Sequence, residues 1–187
     1  MKFLLCALLI ALASAHEPPG LFEYTKCCKI QISAATTQFI DSMTKLEDEC
    51  KQELGEPEQG KPPKFACFHE CLGNKTNMIN ADESLNEDKY RSFITTQMAT
   101  EDYQKAVADA IATKCIEKVN SADGSEESPD GCSETAMEAF HCASKELINA
   151  CPADKQDSVE HCVHFREFIN RDFKGKGPQP SPQTVSK

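Results

Sequence analysis

Cysteine is the residue with the most chemical potential in this chain of 187 residues, where it occurs 11 times. Reducing compartments keep cysteine as a thiol, available for metal binding or nucleophilic attack, whereas oxidising compartments convert pairs of cysteines into disulfides. Cys6 lies in an apolar N-terminal segment. The other ten are Cys27, Cys28, Cys50, Cys67, Cys71, Cys115, Cys132, Cys142, Cys151 and Cys162.

The N-terminus predicts an oxidising compartment. Residues 1–15 begin with Lys2, continue with an apolar run and end in Ala13-Ser14-Ala15, which is typical of a secretory signal peptide cleaved after Ala15. The run is too short for a membrane anchor, and no later segment is apolar enough to cross a bilayer. Cleavage removes Cys6, so the even number that remains predicts five disulfides in an extracellular protein.

Two pairs of cysteines are close in sequence. Cys67 and Cys71 are four residues apart and therefore lie on one side of a helix, from which they are expected to bridge to two neighbours. A bridge between them would constrain nothing beyond the helix. Cys27 and Cys28 are adjacent, and a bridge between them would strain the peptide link, so we expect two different partners. The spacing alone leaves the connectivity open.

Other kinds of site receive little support. Two segments combine cysteine and histidine as zinc sites do, namely Cys67, His69 and Cys71, and His161, Cys162 and His164. In a secreted chain these thiols are needed for disulfides, so we predict no metal site. The chain has no Gly-x-Ser-x-Gly, no His-Glu-x-x-His and no phosphate loop. We therefore predict no enzymatic activity and no cofactor.

Charge and a sequon add expectations about the surface. The formal net charge of −10 disfavours nucleic acid and anionic membranes as partners. Asn74-Lys75-Thr76 is an N-glycosylation sequon, which makes Asn74 a glycosylation candidate on the surface. The five histidines are expected to be exposed: His16, His69, His141, His161 and His164.

The periodicity of apolar residues predicts an all-α fold of six helices in one domain, with no strand and no internal repeat. The predicted helices span residues 33–54, 64–72, 86–98, 100 to about 119, 132–150 and 155–170. Asn86 and Thr100 are candidate N-caps, and Gly73 and Asn74 are expected to end the second helix. Residues 16–25, 55–63 and 120–131 are predicted to be irregular, the domain to span 16–173, and the tail 174–187 to be disordered.

The order of the ten cysteines resembles the insect odorant-binding protein family, specifically its cysteine-rich Plus-C subclass. The resemblance covers Cys27 to Cys162 and includes the vicinal Cys27-Cys28, the Cys67-x-x-x-Cys71 pair and the Cys151-Pro152 step. The segments CFHECLGNKTNMINADESLNEDKY and DGCSETAMEAFHC are also similar to the family. The resemblance implies a compact bundle of about six helices around a buried apolar cavity.

The resemblance also implies a disulfide pairing, because ordinary six-cysteine members join the first cysteine to the third, the second to the fifth and the fourth to the sixth. Carried over, this gives Cys50–Cys71, Cys67–Cys132 and Cys115–Cys142. The four remaining cysteines would tie the N-terminal segment to the C-terminal helix. Nine residues separate Cys132 from Cys142, where ordinary members usually have eight, so an alternative register takes Cys142 and Cys151 as the fifth and sixth cysteines.

The function implied by the resemblance is that of an extracellular carrier of small hydrophobic odorants or pheromones, in sensillum lymph, with delivery to a membrane chemoreceptor. The candidate pocket-lining residues are Phe39, Met43, Phe68, Leu72, Phe93, Met98, Ile111, Met137, Phe140 and Phe165, although ordinary core packing is the more common role for each of them. Release of ligand triggered by pH through the histidines is a further hypothesis. The alternative function is a secreted interaction or defence protein on the same scaffold, without a ligand cavity. The oligomeric state is left open.

Overall fold

A computed structural model describes residues 23–55, 64–121, 128 and 131–170. These residues form seven α-helices: α1 (Glu23–Cys27), α2 (Ala34–Leu54), α3 (Phe65–Lys75), α4 (Glu87–Phe93), α5 (Asp102–Ser121), α6 (Thr135–Asn149) and α7 (Glu160–Ile169). A π-helical turn, Ile94–Met98, continues α4, and a 3₁₀ turn, Ala153–Lys155, precedes α7. Extended pairing within the described residues is limited to one bridge, between Ile79 and Leu85. The all-α prediction is confirmed.

Helix α2 forms where the apolar stripe predicts it. The Ser33 hydroxyl oxygen accepts a hydrogen bond from the backbone N–H of Thr36 at 3.1 Å, which caps the helix at its N-terminus. Gly55 ends it with φ of +72°, a conformation that glycine adopts without steric cost. Met43 and Cys50 on the stripe are buried, while much of the remaining surface of α2 is exposed.

Helix α3 runs past the residues that were expected to end it. Gly73 and Asn74 lie inside the helix, which continues to Lys75. A Cβ atom at Gly73 would lie 2.5 Å from Cγ1 of Ile79 and 3.0 Å from Cβ of Ala136. The glycine is therefore present because two other segments approach the helix closely, and the interpretation of Gly73 as a terminator was wrong.

The junction between α4 and α5 is fixed by side-chain caps. Asn86 accepts a hydrogen bond from the N–H of Lys89 at 3.2 Å, so its predicted capping role is confirmed. At the start of α5, Oε1 of Gln104 accepts hydrogen bonds from the N–H groups of Thr100 and Glu101, both at 3.0 Å. A glutamine three residues into the helix thus serves the N–H groups that precede the first turn.

The two ends of the described chain differ from the prediction. Residues 23–25 belong to α1 and are not irregular. The last helix begins at Glu160, not near 155, because the N–H of Asp157 donates to the carbonyl of Cys27 at 3.0 Å. That contact holds the segment before α7 against α1 in a non-helical path. Helix α6 likewise begins at Thr135, three residues later than expected.

Helix α6 is the centre of the packing. It contacts α1, α3, α5 and α7, and the α4–π segment packs on α5. A single apolar core cluster joins these elements, including Ile94, Met98, Ala143 and Leu147, which are almost completely buried. By contrast, α2 packs mainly on α3. The core therefore lies around α6, with α2 on one side of it.

All ten cysteines of the described chain form disulfides. The structure pairs Cys50 with Cys71, Cys67 with Cys132 and Cys115 with Cys142, the three bridges that the resemblance implies. It pairs Cys27, the last residue of α1, with Cys162 on α7, and Cys28, which directly follows α1, with Cys151, the residue after the C-terminal cap of α6. We refer to these two as the α1 bridges. The pairing follows the first register and not the alternative. Cys67 and Cys71 bridge to different partners, as expected for two residues on one side of a helix.

Buried tyrosine hydroxyls add directional contacts to this core. Tyr90 on α4 donates to the carbonyl of Ala139 on α6 at 2.6 Å, and Tyr24 on α1 donates to the carbonyl of Met98 at 2.9 Å. Burial raises the pKa of both phenols well above 10, so both remain neutral donors at any physiological pH.

Removing the Tyr90 hydroxyl tests the link between α4 and α6. We expect Tyr90→Phe to lower the free energy of unfolding by about 1–2 kcal/mol, since the buried carbonyl of Ala139 loses a donor. Urea denaturation measures the change. Ser42→Ala, at an exposed hydroxyl on α2, is the control and should stay within about 0.5 kcal/mol of the parent. A Tyr90→Phe variant as stable as the control would show that the hydrogen bond contributes no net stability.

Several sequence predictions lie wholly or largely outside the described residues. They are the signal peptide over residues 1–15, the domain start at 16, the breaker after Gly55, the loop after Ser121 and the tail 174–187. Among the helices that are described, none combines the length and the apolar character needed to cross a bilayer.

Candidate functional site

The ten predicted lining residues are not all in the same surroundings. Six belong to the main buried core: Leu72, Phe93, Met98, Ile111, Phe140 and Phe165. Phe39 and Phe68 are partly buried against that core, Met137 is half-buried and Met43 is buried on α2. The structure therefore places them at the interior of the bundle and on the inner sides of α2 and α3, as core residues and pocket-lining residues alike would be.

Four of these residues form one aromatic cluster with His69. We define the aromatic cluster as Phe39, Phe68, His69, Phe93 and Phe140. The rings of Phe39 and Phe93 lie 5.8 Å apart in an edge arrangement, and those of Phe93 and Phe140 lie 5.9 Å apart. His69 links the other end, with its ring 6.0 Å from Phe140 and 5.5 Å from Phe68. Helices α2, α3, α4 and α6 each contribute, so the cluster joins four elements.

The aromatic cluster runs from the surface into the core. Phe93 and Phe140 in its middle are buried, whereas Phe39, Phe68 and His69 are partly exposed. Aromatic rings offer large contact areas with restricted geometry, and they are common in pockets for small molecules. An apolar molecule that reaches Phe39 or Phe68 from solvent would meet a continuous series of rings leading inward.

His69 is the member of the aromatic cluster that the sequence did not indicate as lining. It lies on α3 directly after Phe68, and its Nδ1 is 2.8 Å from the carbonyl oxygen of Phe65. Burial lowers the pKa of His69, a direction that the contact with Phe65 partly opposes. The residue therefore stays neutral near pH 7. In the sequence, the only signal that His69 faces inward is its spacing of four residues from Phe65 and from Gly73.

Two histidines contradict the expectation that all are exposed. His69 and His141 are both half-buried, whereas His161 and His164 are exposed as predicted. Burial, together with the positive charges of Lys118 and Lys145, lowers the pKa of His141 to about 4. Both half-buried imidazoles lie on the inner sides of helices that pack on the core. The pattern of polar and apolar residues did not show that these two positions face inward.

These histidines predict a loss of stability in mild acid. The unfolded His141 has a pKa of 6.5 and the folded one about 4. Between these values the unfolded chain binds a proton that the folded chain resists, so stability is complete above pH 6.5 and falls as the pH decreases toward 4. We expect His141 to contribute about 1–2 kcal/mol of this fall, a value reduced for the partial exposure of the ring.

The measurement is the free energy of unfolding at several pH values from 7 to 4. His141→Gln should reduce the slope with pH, because one fewer proton is then taken up on unfolding. His164→Gln serves as the control for loss of an exposed imidazole. An unchanged slope in His141→Gln would show that other groups cause the acid sensitivity.

A surface pocket of about 320 Å³ is lined by none of the ten predicted residues. It is formed by the N-terminal end of α2 and the turn after the π-helical segment: Gln31, Ser33, Ala35, Thr36, Thr96, Gln97, Ala99, Thr100 and Lys105. These side chains are mostly polar, which does not suit an apolar ligand. The apolar cavity that the resemblance implies remains a prediction.

The cysteines among the candidate zinc ligands are all in disulfides. Cys67, Cys71 and Cys162 are oxidised in disulfides and offer no thiolate. Glu23, Cys27 and His161 have possible ligand atoms within 4.8 Å of one another, but Cys27 is also in a disulfide. The remaining pair is a contact between Nε2 of His161 and a Glu23 carboxylate oxygen at 2.6 Å, which links α1 to α7.

Asn74, the glycosylation candidate, is exposed in the last turn of α3. The Thr76 hydroxyl of the sequon donates to the carbonyl of Leu72 at 2.7 Å. Its glycosylation stays a prediction.

Comparison with known proteins identifies one family. The model of the PBP/GOBP family matches residues 32–146. Searches of curated proteins and of solved structures return no significant match. The matched residues contain three complete bridges, Cys50–Cys71, Cys67–Cys132 and Cys115–Cys142. The two bridges made by α1 have all four of their cysteines outside the matched range.

Proposed function

The chain belongs to the PBP/GOBP family, whose members are non-enzymatic carriers of small odorants and pheromones, and on that premise we propose that it binds a small hydrophobic ligand in an apolar pocket bordered by the aromatic cluster. The observation that carries the proposal is the match over residues 32–146, since this range supplies α2, α3, α4, α5 and most of α6. Every member of the aromatic cluster lies within it.

The structure supports the location in two ways. The cluster connects partly exposed rings on α2 and α3 to buried rings on α4 and α6, so its apolar surface is continuous from the outside of the bundle to the core. In addition, α2 packs mainly on α3 and is bridged to it by Cys50–Cys71. The N-terminal half of α2, which carries Phe39, is largely exposed, so a ligand can reach this end of the cluster from solvent.

The binding energy would come from burial of apolar surface, about 25 cal/mol per Å² before ordering costs. For a small volatile molecule this gives a dissociation constant of about 1 μM or weaker, with broad specificity. Transport is then sequestration: the carrier raises the amount of an apolar compound that an aqueous fluid can hold.

We also propose the finer assignments that the resemblance implies. The two additional bridges, Cys27–Cys162 and Cys28–Cys151, support the Plus-C subclass, since they extend the three-bridge framework of the family. Five disulfides support an extracellular location. Sensillum lymph, chemosensory transport, absence of cofactors and delivery to a membrane chemoreceptor form part of the same proposal.

Displacement of a fluorescent apolar probe, N-phenylnaphthylamine, tests the carrier function. We expect the oxidised chain to enhance its fluorescence and volatile apolar compounds to reverse the enhancement. Phe39→Ala should weaken binding about three- to tenfold, because a partly exposed ring of the cluster is lost. Val163→Ala, on the exposed side of α7, is the control and should bind the probe as the parent does.

Absence of probe uptake by the correctly bridged chain would contradict the carrier proposal. Together with an interior that is packed solid, it would favour the alternative of a protein-interaction or defence protein. Equal affinities for Phe39→Ala and the parent would keep the carrier but place its pocket away from the aromatic cluster.

A further inference from the structure

One polar side chain stands on the inner face of α5. Gln104, Ala108, Ile111 and Cys115 are spaced at helical intervals along that face, and all four are buried. Gln104 has no exposed surface (0%), although its side chain is an amide. The three apolar residues that follow it belong to the same core cluster as Phe93 and Phe140.

The orientation of this amide is determined by its neighbours. Its Oε1 accepts from the backbone N–H groups of Thr100 and Glu101, both at 3.0 Å, and lies 3.3 Å from the Thr100 hydroxyl. If oxygen and nitrogen were exchanged, the amide nitrogen would face two donors, which is unfavourable. The oxygen therefore serves the start of α5, and the –NH₂ group occupies the other branch of the amide.

That –NH₂ group has no acceptor among the described residues, and its nitrogen is buried. A buried amide nitrogen carries two donors, and leaving them unused is costly, so such groups in native proteins call for an explanation. The oxygen of Gln104 explains why the residue caps α5, but it does not explain an unused donor on a side chain with no exposed surface. Ligand pockets typically combine an apolar lining with a few polar groups that fix orientation.

We infer that the Nε2 group of Gln104 donates a hydrogen bond to the ligand, and that the preferred ligands are apolar molecules with one accessible acceptor oxygen, such as ketones, aldehydes and esters. The inference rests on the proposed carrier function. It adds a specificity: the apolar contacts select for size and shape, whereas Gln104 selects an oxygenated compound over a hydrocarbon of the same skeleton.

A matched pair of probes isolates this contact. Methyl nonyl ketone carries the acceptor, and the olefin in which a methylene group replaces its carbonyl oxygen has nearly the same shape without it. Both are measured by displacement of N-phenylnaphthylamine from the full oxidised chain. The ratio of the two affinities is compared between proteins, because the difference in hydration of the two probes then cancels.

Three proteins are compared: the parent, Gln104→Met and Gln97→Met. Methionine keeps the length of the side chain and removes the amide, and Gln97 is an exposed amide nearby that serves as the matched control. We expect the ratio of ketone to olefin affinity to fall about tenfold in Gln104→Met, the effect of one hydrogen bond, and to be unchanged in Gln97→Met.

The outcomes separate the two proposals. If both probes bind and the ratio is the same in Gln104→Met, the role of Gln104 is wrong and the carrier function stands. If neither probe binds the parent, both proposals fail. Should Gln104→Met not fold, because α5 loses its cap, the side-chain amide resonances of Gln104 in the parent decide. They should shift on addition of the ketone and much less with the olefin, and equal responses would overturn the inference.

Discussion

A chain that lacks one of the two bridges made by α1 is expected to lose about 3 kcal/mol of unfolding free energy, and a chain that lacks both is expected to lose about 7 kcal/mol. The bridges Cys27–Cys162 and Cys28–Cys151 span sequence separations of 135 and 123 residues. They begin at adjacent residues, so either bridge alone already brings the two ends of the domain together. Their contributions therefore cannot be independent.

The chain entropy of the unfolded state explains the numbers. While one bridge remains, the other closes only the stretch between Cys151 and Cys162, a ring of about a dozen residues. When both are absent, a ring of roughly 50 residues, counted through Cys50–Cys71 and Cys67–Cys132, also opens. Removing the second bridge therefore lowers the free energy of unfolding more than removing the first. The loss in the chain without both bridges exceeds the sum of the two single losses by about 1–2 kcal/mol.

Pairwise replacement by alanine and chemical denaturation followed by circular dichroism measure these losses. Because domains of this size are usually stable by about 5–15 kcal/mol, the chain without both bridges should be at or near the edge of unfolding in buffer. Loss of Cys50–Cys71, which closes a separate stretch of 21 residues, is the comparison and should add to either single loss within about 0.5 kcal/mol. Strict additivity of the two α1 bridges would contradict the ring model.

The second large effect is expected at Gly73. Alanine is the better helix former by about 1 kcal/mol, yet we expect Gly73→Ala to lower the free energy of unfolding by about 1–3 kcal/mol. The added Cβ would lie 2.5 Å from Cγ1 of Ile79 and 3.0 Å from Cβ of Ala136, so the loop after α3 or helix α6 must move. Thermal or urea denaturation of the oxidised protein gives the change.

Two further variants make this prediction specific. Asn74→Ala changes the neighbouring exposed residue of the same helix and, in protein made without glycans, should stay within about 0.5 kcal/mol of the parent. Ile79→Ala removes the atom closest to the new methyl group, so in the Gly73→Ala background it should cost less than it does alone. A Gly73→Ala variant that is more stable than the parent would show that the close approach is not a constraint.

The sequence predicted best what repeats along a helix. The stripe of α2, the cap at Asn86 and the all-α fold follow from spacing and local hydrogen bonding, and the family resemblance supplied three bridges. The sequence-based prediction failed where the role of a residue depends on its contact with another segment of the chain. Gly73 resembles a terminator until Ile79 and Ala136 are seen beside it, and the start of α7 depends on a hydrogen bond from Asp157 to Cys27.

The same distinction applies to the candidate site. Apolar residues at helical spacing identified Phe39, Phe68, Phe93 and Phe140, because inward-facing rings share a stripe with other apolar residues. His69 and Gln104 were missed, since polar residues on a buried face are indistinguishable in sequence from polar residues in solvent. Only the packing of α3 against α6 and the two N–H groups before α5 show why these side chains lie inside.

The arrangement of the α1 bridges has a consequence for proteolysis. Hydrolysis of any one peptide bond between Cys28 and Cys151 leaves two fragments that are still covalently joined, because both bridges cross every such cut. A nicked molecule therefore keeps its mass apart from one added water, and its fragments separate only after reduction. In a protease-containing fluid, a carrier with this connectivity can be cut once without coming apart.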